Sequence, residues 1–188
     1  IKNRLIKNAK KIDKFLINYL HKQENSLLIN PMKYGVISGG KKIRSTIILD
    51  AGKVFNLNHK KLINICAAVE CIHSYSLIHD DLPCMDNDTI RRGKPSAHIK
   101  FGEASAVLAG NSLLTLAFEI ITDVNYSLSA SLKNEITKSL AFSIVLVVEA
   151  IASAAACVVP LPAPPITPPP KKPLNAASIK SNLASFVV

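Results

Sequence analysis

The sequence predicts an all-α protein up to about residue 145. Three observations lead there. Apolar residues recur every three to four positions through successive stretches, as one face of a helix requires. Those stretches are separated by short breaks rich in Gly, Pro and Asn. No stretch carries a convincing strand-like alternation of apolar and polar residues.

The first helix is read from Leu5, Ala9, Ile12, Leu16, Tyr19 and Leu20, with lysines and asparagines between them. Asn30-Pro31 is the expected break after it. Gly39-Gly40 marks a turn, and a helix follows through Ile43, Ile47, Ile48 and Ala51. Asn56 to Lys60 is a polar connection. Leu62 to His79 is long and mostly apolar, with Glu70 and His73 one turn apart. Gly93 to Pro95 is a loop. Ala104 to Thr122 is apolar almost all round, which predicts a central, buried helix.

After residue 145 the character changes. The only charged residues there are Glu149, Lys171, Lys172 and Lys180, and eight of the eleven prolines lie between Pro160 and Pro173. That proline tract reads as an extended linker or surface loop. Leu140 to Val159 is a twenty-residue apolar run broken by Glu149 and two serines, long enough to weigh as a membrane span. Its small-residue content favours a buried bundle helix.

At 188 residues the chain is read as a single domain, 1–188, able to bury a core. Its net charge of +10 fits nucleic acid, an anionic membrane or phosphorylated small molecules. The early Lys- and Asn-rich stretch places most of that charge on solvated helix faces. There is no tryptophan and no RNA-binding aromatic motif, so nucleic acid is not expected as a partner. Cys66, Cys71, Cys84 and Cys157 lack metal or disulfide spacing and read as free thiols. The start of the chain is charged and amphipathic rather than leader-like, and a cytoplasmic location is expected.

The chemistry concentrates at Ser76 to Gly93. Four aspartates, Asp80, Asp81, Asp86 and Asp88, fall within nine positions, with Arg91-Arg92 close behind. Carboxylates that close repel one another unless a cation sits among them. His73, Leu77 and Asp80/Asp81 share one helix face, and Pro83 interrupts the backbone ladder. The bulge can return Asp86 toward Asp80 and Asp81, giving three carboxylates for Mg²⁺, whose shell is completed by water and substrate phosphates. A solvated acidic loop explains Asp86 or Asp88 singly, but not Asp80-Asp81 at the end of an apolar helix. Arg91 and Arg92 then suit bidentate phosphate contacts; the competing reading is a surface basic pair.

A second basic group precedes this segment. Lys41 and Arg44 share a face at the first turn of a helix, itself attractive to anions, or else form a merely exposed basic turn. Gly35 to Lys41 matches the start of a phosphate-binding G-x-x-x-x-G-K loop. Lys42 stands where Ser or Thr is needed and no strand precedes it, so a nucleotide site is not expected. His73 could be a core histidine, but it lies two turns before Asp80 on the same face. Glu70 is read as a partner of His73 or of a lysine.

These residues, in order and in register from about 30 to 122, resemble the trans-isoprenyl diphosphate synthases. The resemblance is carried by Gly39-Gly40-Lys41-Lys42-Ile43-Arg44, by Glu70 to Asp88, by Arg91-Arg92-Gly93-Lys94-Pro95, by Phe101-Gly102-Glu103 and by Leu108-Ala109-Gly110-Asn111. It is closest to the bacterial farnesyl type, with the geranylgeranyl type next. The resemblance implies an antiparallel helical bundle around a deep central cavity, usually as a homodimer. It implies Mg²⁺ held by Asp80, Asp81 and Asp86 on an allylic diphosphate that Arg91 also contacts. It implies an isopentenyl diphosphate site at Lys41, Arg44, His73 and Arg92. The implied reaction joins isopentenyl diphosphate to an allylic diphosphate. Tyr75 lies roughly 7.5 Å along the helix from Asp80 at 1.5 Å per residue, where its ring would limit product length or simply pack in the core.

Departures accompany the resemblance. Ser45 replaces the family's usual Pro, and Asn111 its usual Asp. No aspartate follows Asp123, so the family's second aspartate-rich motif is missing, and residues 145–188 match nothing in its pattern. The expectation is that the chain represents an incomplete record of a longer protein. The alternatives are a geranylgeranyl-type enzyme and a non-catalytic subunit that binds prenyl diphosphates. A basic membrane-associated protein leaves the aspartate-arginine arrangement unexplained.

Overall fold

In the computed structural model of the chain the described residues are 2–22 and 26–158, with side chains described through residue 144. The helices are α1 (Lys2–His21), α2 (Ile29–Ile37), α3 (Ile43–Val54), α4 (His59–Asp80), α5 (Ala97–Phe101), α6 (Glu103–Thr122) and α7 (Ala130–Val158). One compact unit comprises Ile1–Ala152. A second, Ser153–Val188, is described only as helical backbone to Val158. The proline tract lies wholly outside the described residues. The apolar run from Leu140 is helical as far as Val158, and the rest of the 145–188 reading falls outside the description.

The helical periodicity sorts into a buried face as expected on α1 but not on α3, where Ile43, Ile47 and Ala51 are exposed and Ser45, Thr46, Leu49 and Gly52 are buried instead. On α1, Ile12, Leu16, Tyr19 and Leu20 are buried at helical spacing. They join Val36, Leu49, Cys66, Cys71, Leu113, Ile120 and Ile121 in one core. Each fully buried Leu or Ile contributes about 1.5–3 kcal/mol over an exposed one. Asn58 caps α4, its side chain accepting from the Lys60 N–H at 2.9 Å. α4 packs most extensively on α6 and next on α3.

Three expectations are corrected in detail. Pro31 does not end a helix; it lies in the first turn of α2, where its missing N–H would have no intrahelical partner. α6 is not buried all round. Ala109, Gly110, Leu113, Ala117, Ile120 and Ile121 face the core, whereas Leu108 is 52 % exposed and Asn111 is exposed. The small apolar residues that made it look uniformly buried serve close packing on one side only. The loop after Ile90 contains a minimal antiparallel hairpin, β1 (Ile90–Arg91) with β2 (Lys94–Pro95), paired Ile90 to Pro95 and Arg91 to Lys94. It is too short to show periodicity.

The α4–α6 contact is close because Gly110 has no side chain. A Cβ there would lie 2.3 Å from His79 Nε2, and His79 Nε2 is itself 3.1 Å from the Val107 carbonyl. α4 and α6 are each long and apolar enough to cross a membrane, yet both supply the core. Gly110→Ala is expected to destabilise the fold by about 1–3 kcal/mol through forced displacement of His79, read as a lower midpoint in urea unfolding.

Candidate functional site

α4 carries most of the candidate residues, and its C-terminal end organises the rest. The Asp81 N–H bonds the Leu77 carbonyl at 3.2 Å, and Leu82 N–H bonds His79 at 3.1 Å. Pro83 then stops the ladder. The chain folds back: Met85 and Asn87 N–H groups return to the Leu82 carbonyl, and the Asp86 N–H donates to the Asp80 carbonyl at 2.9 Å. This turn brings Asp86 back to Asp80, as the sequence led one to expect. The Asp80 carboxyl is pushed above its ordinary value, by burial first and by the Asp86 charge second, with Arg91 working against both.

Asp81 has a different fate. It is 2 % exposed, and Arg91 grips it through Nε at 2.6 and 2.8 Å and through Nη2 at 2.5 Å. Arg91 Nη2 also lies 3.5 Å from Asp88. The hairpin makes this grip. Tyr34 OH ties it to α2 by donating to the Pro95 carbonyl at 2.7 Å. Arg91 sits on the strand, and Arg92 takes the first turn position at a positive φ of 54°, the sense that two-residue hairpin turns favour.

Arg92 faces the Gly-Gly turn. Its Nη1 donates to the Gly39 carbonyl at 2.5 Å. A Cβ on Gly40 would stand 2.7 Å from the same nitrogen, and the φ of +102° at Gly40 is what favours glycine there. His73 is half-buried, and burial lowers its imidazole first; Arg44 lowers it next and Arg92 also lowers it, while Glu70 raises it. Arg44, His73 and Arg92 therefore share one electrostatic neighbourhood, whereas the exposed Lys41 lines a separate cavity against α1 with Leu5, Ala9 and Lys10. Three of the four residues assigned from the resemblance to the second diphosphate come together, with Lys41 beside the turn that Arg92 holds.

Two cavities bear on this arrangement. One of about 30 Å³ lies among Ser74, Asp81, Arg91 and Arg92, the space of roughly one water. Another, of about 230 Å³, is lined by Arg44, Ile72, His73, Tyr75 and Leu140 among others. Tyr75 stacks edge-on against His79 with ring centroids 4.6 Å apart.

The sequence reading overlooked the network beneath the basic turn. Lys42, the N-cap of α3, stands at φ 44° and ψ 49°, a left-handed conformation costing about 1–2 kcal/mol for a residue with a Cβ. Its side chain is 3 % exposed and lies 3.7 Å from Glu70 and 3.6 Å from Asp13, while Nζ donates to the Val36 carbonyl at 2.7 Å. Glu70 also accepts from Ser45 Oγ at 2.7 Å and the Ser45 N–H at 3.4 Å. Glu70 thus partners a lysine rather than a free surface. The usual Pro at position 45 would offer neither donor. Only the doubled Lys41-Lys42 hinted at this, and adjacency does not say which lysine turns inward.

The carboxylates suit a hard divalent cation, and the raised Asp80 carboxyl is the observation that tests the fit. Asp80 and Asp86 are like charges whose repulsion a cation would relieve. Asp81 is committed to Arg91, and among the described residues no three His, Cys, Asp or Glu side chains gather as ligands. The fit therefore rests on Asp80 and Asp86.

A family model described as polyprenyl synthetase matches residues 25–146. Farnesyl diphosphate synthase of Buchnera aphidicola (from Acyrthosiphon pisum) is 53 % identical over 109 residues, 58 % of this chain and 38 % of that protein. The Escherichia coli protein of the same name is 50 % identical over 102 residues, 54 % of this chain and 34 % of its own length. Geranylgeranyl pyrophosphate synthase 4 of Arabidopsis thaliana is 42 % identical over 123 residues, 65 % of this chain and 33 % of that protein. The crystal structure of a FPP/GFPP synthase from Zymomonas mobilis superposes with a TM-score of 0.67 at 35 % identity, covering 76 % of this chain and 54 % of the other. This fold likeness agrees with the all-α, isoprenoid-synthase-type bundle expected from the sequence. The chain spans about a third of the length of the curated relatives it matches.

Because the folded Asp80 carboxyl titrates above the usual aspartate range, its ionisation costs stability as pH rises from the unfolded value through the folded one. Asp80→Asn is expected to raise the thermal midpoint at pH 7 and leave it unchanged at pH 2. Added Mg²⁺ should raise the midpoint of the parent chain at pH 7 but not that of the variant, as scanning calorimetry would show.

Proposed function

The chain belongs to the polyprenyl synthetase family, and from that premise we propose that its described part carries the diphosphate-binding half of a prenyltransferase making a short-chain, C15 product. The observation that carries the reading is a division of charge around α4. A carboxylate pair, Asp80 and Asp86, lies at the helix end beside Arg91. Arg44, His73 and Arg92 gather beneath the Gly39-Gly40 turn. One allylic diphosphate and one isopentenyl diphosphate match these two neighbourhoods in charge.

In this reading Asp80 and Asp86 hold Mg²⁺, which when bound neutralises charge on the allylic diphosphate. Arg91 leaves Asp81 to grip the same diphosphate, and Asp81, so released, joins Asp80 and Asp86 at the cation. Its fixed positive charge favours the negative charge that grows on the leaving oxygen as the allylic C–O bond breaks. Lys41, Arg44, His73 and Arg92 hold isopentenyl diphosphate so that its double bond faces the allylic carbon. That π pair forms the new C–C bond, the electron pair of the broken C–O bond leaves on the diphosphate, and a proton is lost to that diphosphate. The apolar core of α4 and α6 keeps water from the allylic cation. The basic groups position and stabilise; no protein nucleophile takes part.

Tyr75 has a place in the same reading. It borders the 230 Å³ cavity and is braced by His79, five residues before Asp80, so its ring limits how far the growing chain descends. A homodimer is also part of the proposal, and sedimentation of the purified protein tests it.

Incubation with Mg²⁺, isopentenyl diphosphate and geranyl diphosphate is expected to yield a C15 diphosphate. Mg²⁺-dependent binding of geranyl diphosphate without turnover would favour the non-catalytic subunit instead, and no binding would overturn the proposal. Tyr75→Ala is expected to shift the products beyond C15; unchanged chain length by mass spectrometry would remove Tyr75 from its role.

A further inference from the structure

Lys42 is buried, charged and held in an unfavourable backbone conformation, and nothing in the reaction uses it. A residue in that position persists only where its surroundings over-determine it. Here the surroundings come from three helices. Nζ donates to the Val36 carbonyl at the end of α2, with Asp13 of α1 and Glu70 of α4 at ion-pair distance. Glu70 in turn accepts from Ser45 Oγ and from the Ser45 N–H, one of the unpaired donors of the first turn of α3. A single carboxylate thus joins the residue before α3 to the third residue within it. Lys42 and Ser45 bracket Arg44, and Lys41 directly precedes Lys42.

We infer that Lys42 and Glu70 are positioning residues: their buried pair sets the backbone from which Lys41 and Arg44 present their charges. With Lys42 turned inward at positive φ, Lys41 and Arg44 are both exposed on either side of it. Glu70 lies one turn before His73 on α4, so the same carboxylate ties the basic turn to the helix carrying the third basic group. Losing the Lys42 charge leaves the buried Glu70 and the partly buried Asp13 with less compensation. The Asp13 carboxyl is already pushed up by burial despite the attraction of Lys42. The anchor would then loosen without any loss of charge from Lys41, Arg44 or Arg92.

The inference deepens the proposed function, and its ligand arm rests on that reading. The test compares the parent chain with Lys42→Met and Lys42→Arg, measuring isopentenyl diphosphate binding without metal, geranyl diphosphate binding with Mg²⁺, and amide exchange. Lys42→Met is expected to weaken isopentenyl diphosphate binding about tenfold, the scale of one misplaced charge-assisted hydrogen bond. Geranyl diphosphate binding should hold, and Lys42→Arg should restore the loss. Amide exchange over residues 38–45 should quicken in Lys42→Met while that of α6 does not change. Equal weakening of both ligands, exchange rising across the whole molecule, or no rescue by arginine would reduce Lys42 to a general stabiliser and overturn the inference. If the parent chain binds no isopentenyl diphosphate, the proposed function fails at that site. The exchange pattern of 38–45 then decides the anchor by itself: selective quickening reversed by arginine upholds it, and unchanged exchange overturns it.

Discussion

The close packing of α4 against α6 is the constraint on which the remaining geometry depends. Gly110 lets the two helices meet where His79 lies, and the buried residues Ala109, Leu113, Ala117 and Ile120 extend that contact. α4 thereby becomes a fixed rod at the centre of the first compact unit. The carboxylates, His73 and Tyr75 are referred to it: Glu70, His73 and Tyr75 along its length, Asp80 and Asp81 at its end, Asp86 returned to it by the Pro83 turn. An apolar contact of this kind is insensitive to charge, so it can hold several unfavourable charge placements in place.

Those placements show a common device. Where the fold buries a charge, it supplies a partner from another element. Asp81 is matched by Arg91 from the hairpin, and Glu70 by Lys42 and Ser45 from the start of α3. Buried ion pairs add little net stability, since desolvation offsets attraction, but they specify geometry. The exposed charges are treated differently. Asp80 and Asp86 are left in mutual repulsion, and Arg44 and Arg92 are left as like charges beside a half-buried His73 whose imidazole burial and both arginines push down. A protein selected only for stability would not keep both features. Their coexistence around α4 is what the proposed diphosphate sites would use.

Much of this was legible beforehand. The helix-spaced apolar residues of α1 gave its buried face, and the spacing Asp80-Asp81 to Asp86, with Pro83 between, foretold the return turn. The Arg91-Arg92 pair was legible as a unit but not as two residues with opposite duties. A two-residue hairpin carries no periodicity, and in it one arginine lies on a strand facing Asp81 while the other occupies the turn facing Gly39. Likewise α6 read as buried all round because its residues are small and apolar, although only one side meets the core.

What the sequence by itself determined is the all-α character, the buried face of α1, and the presence of carboxylates and cations at spacings that suit diphosphates. Those properties are local: helical periodicity and motif spacing need no knowledge of distant residues. Only the tertiary structure decided that Lys42 turns inward while Lys41 stays out, that Asp81 is spent on Arg91 while Asp80 is not, and that Glu70 joins α3 to α4. Each of these depends on which groups from other elements dehydrate and compensate a charge. Adjacent identical residues look alike in sequence and differ only in that surrounding.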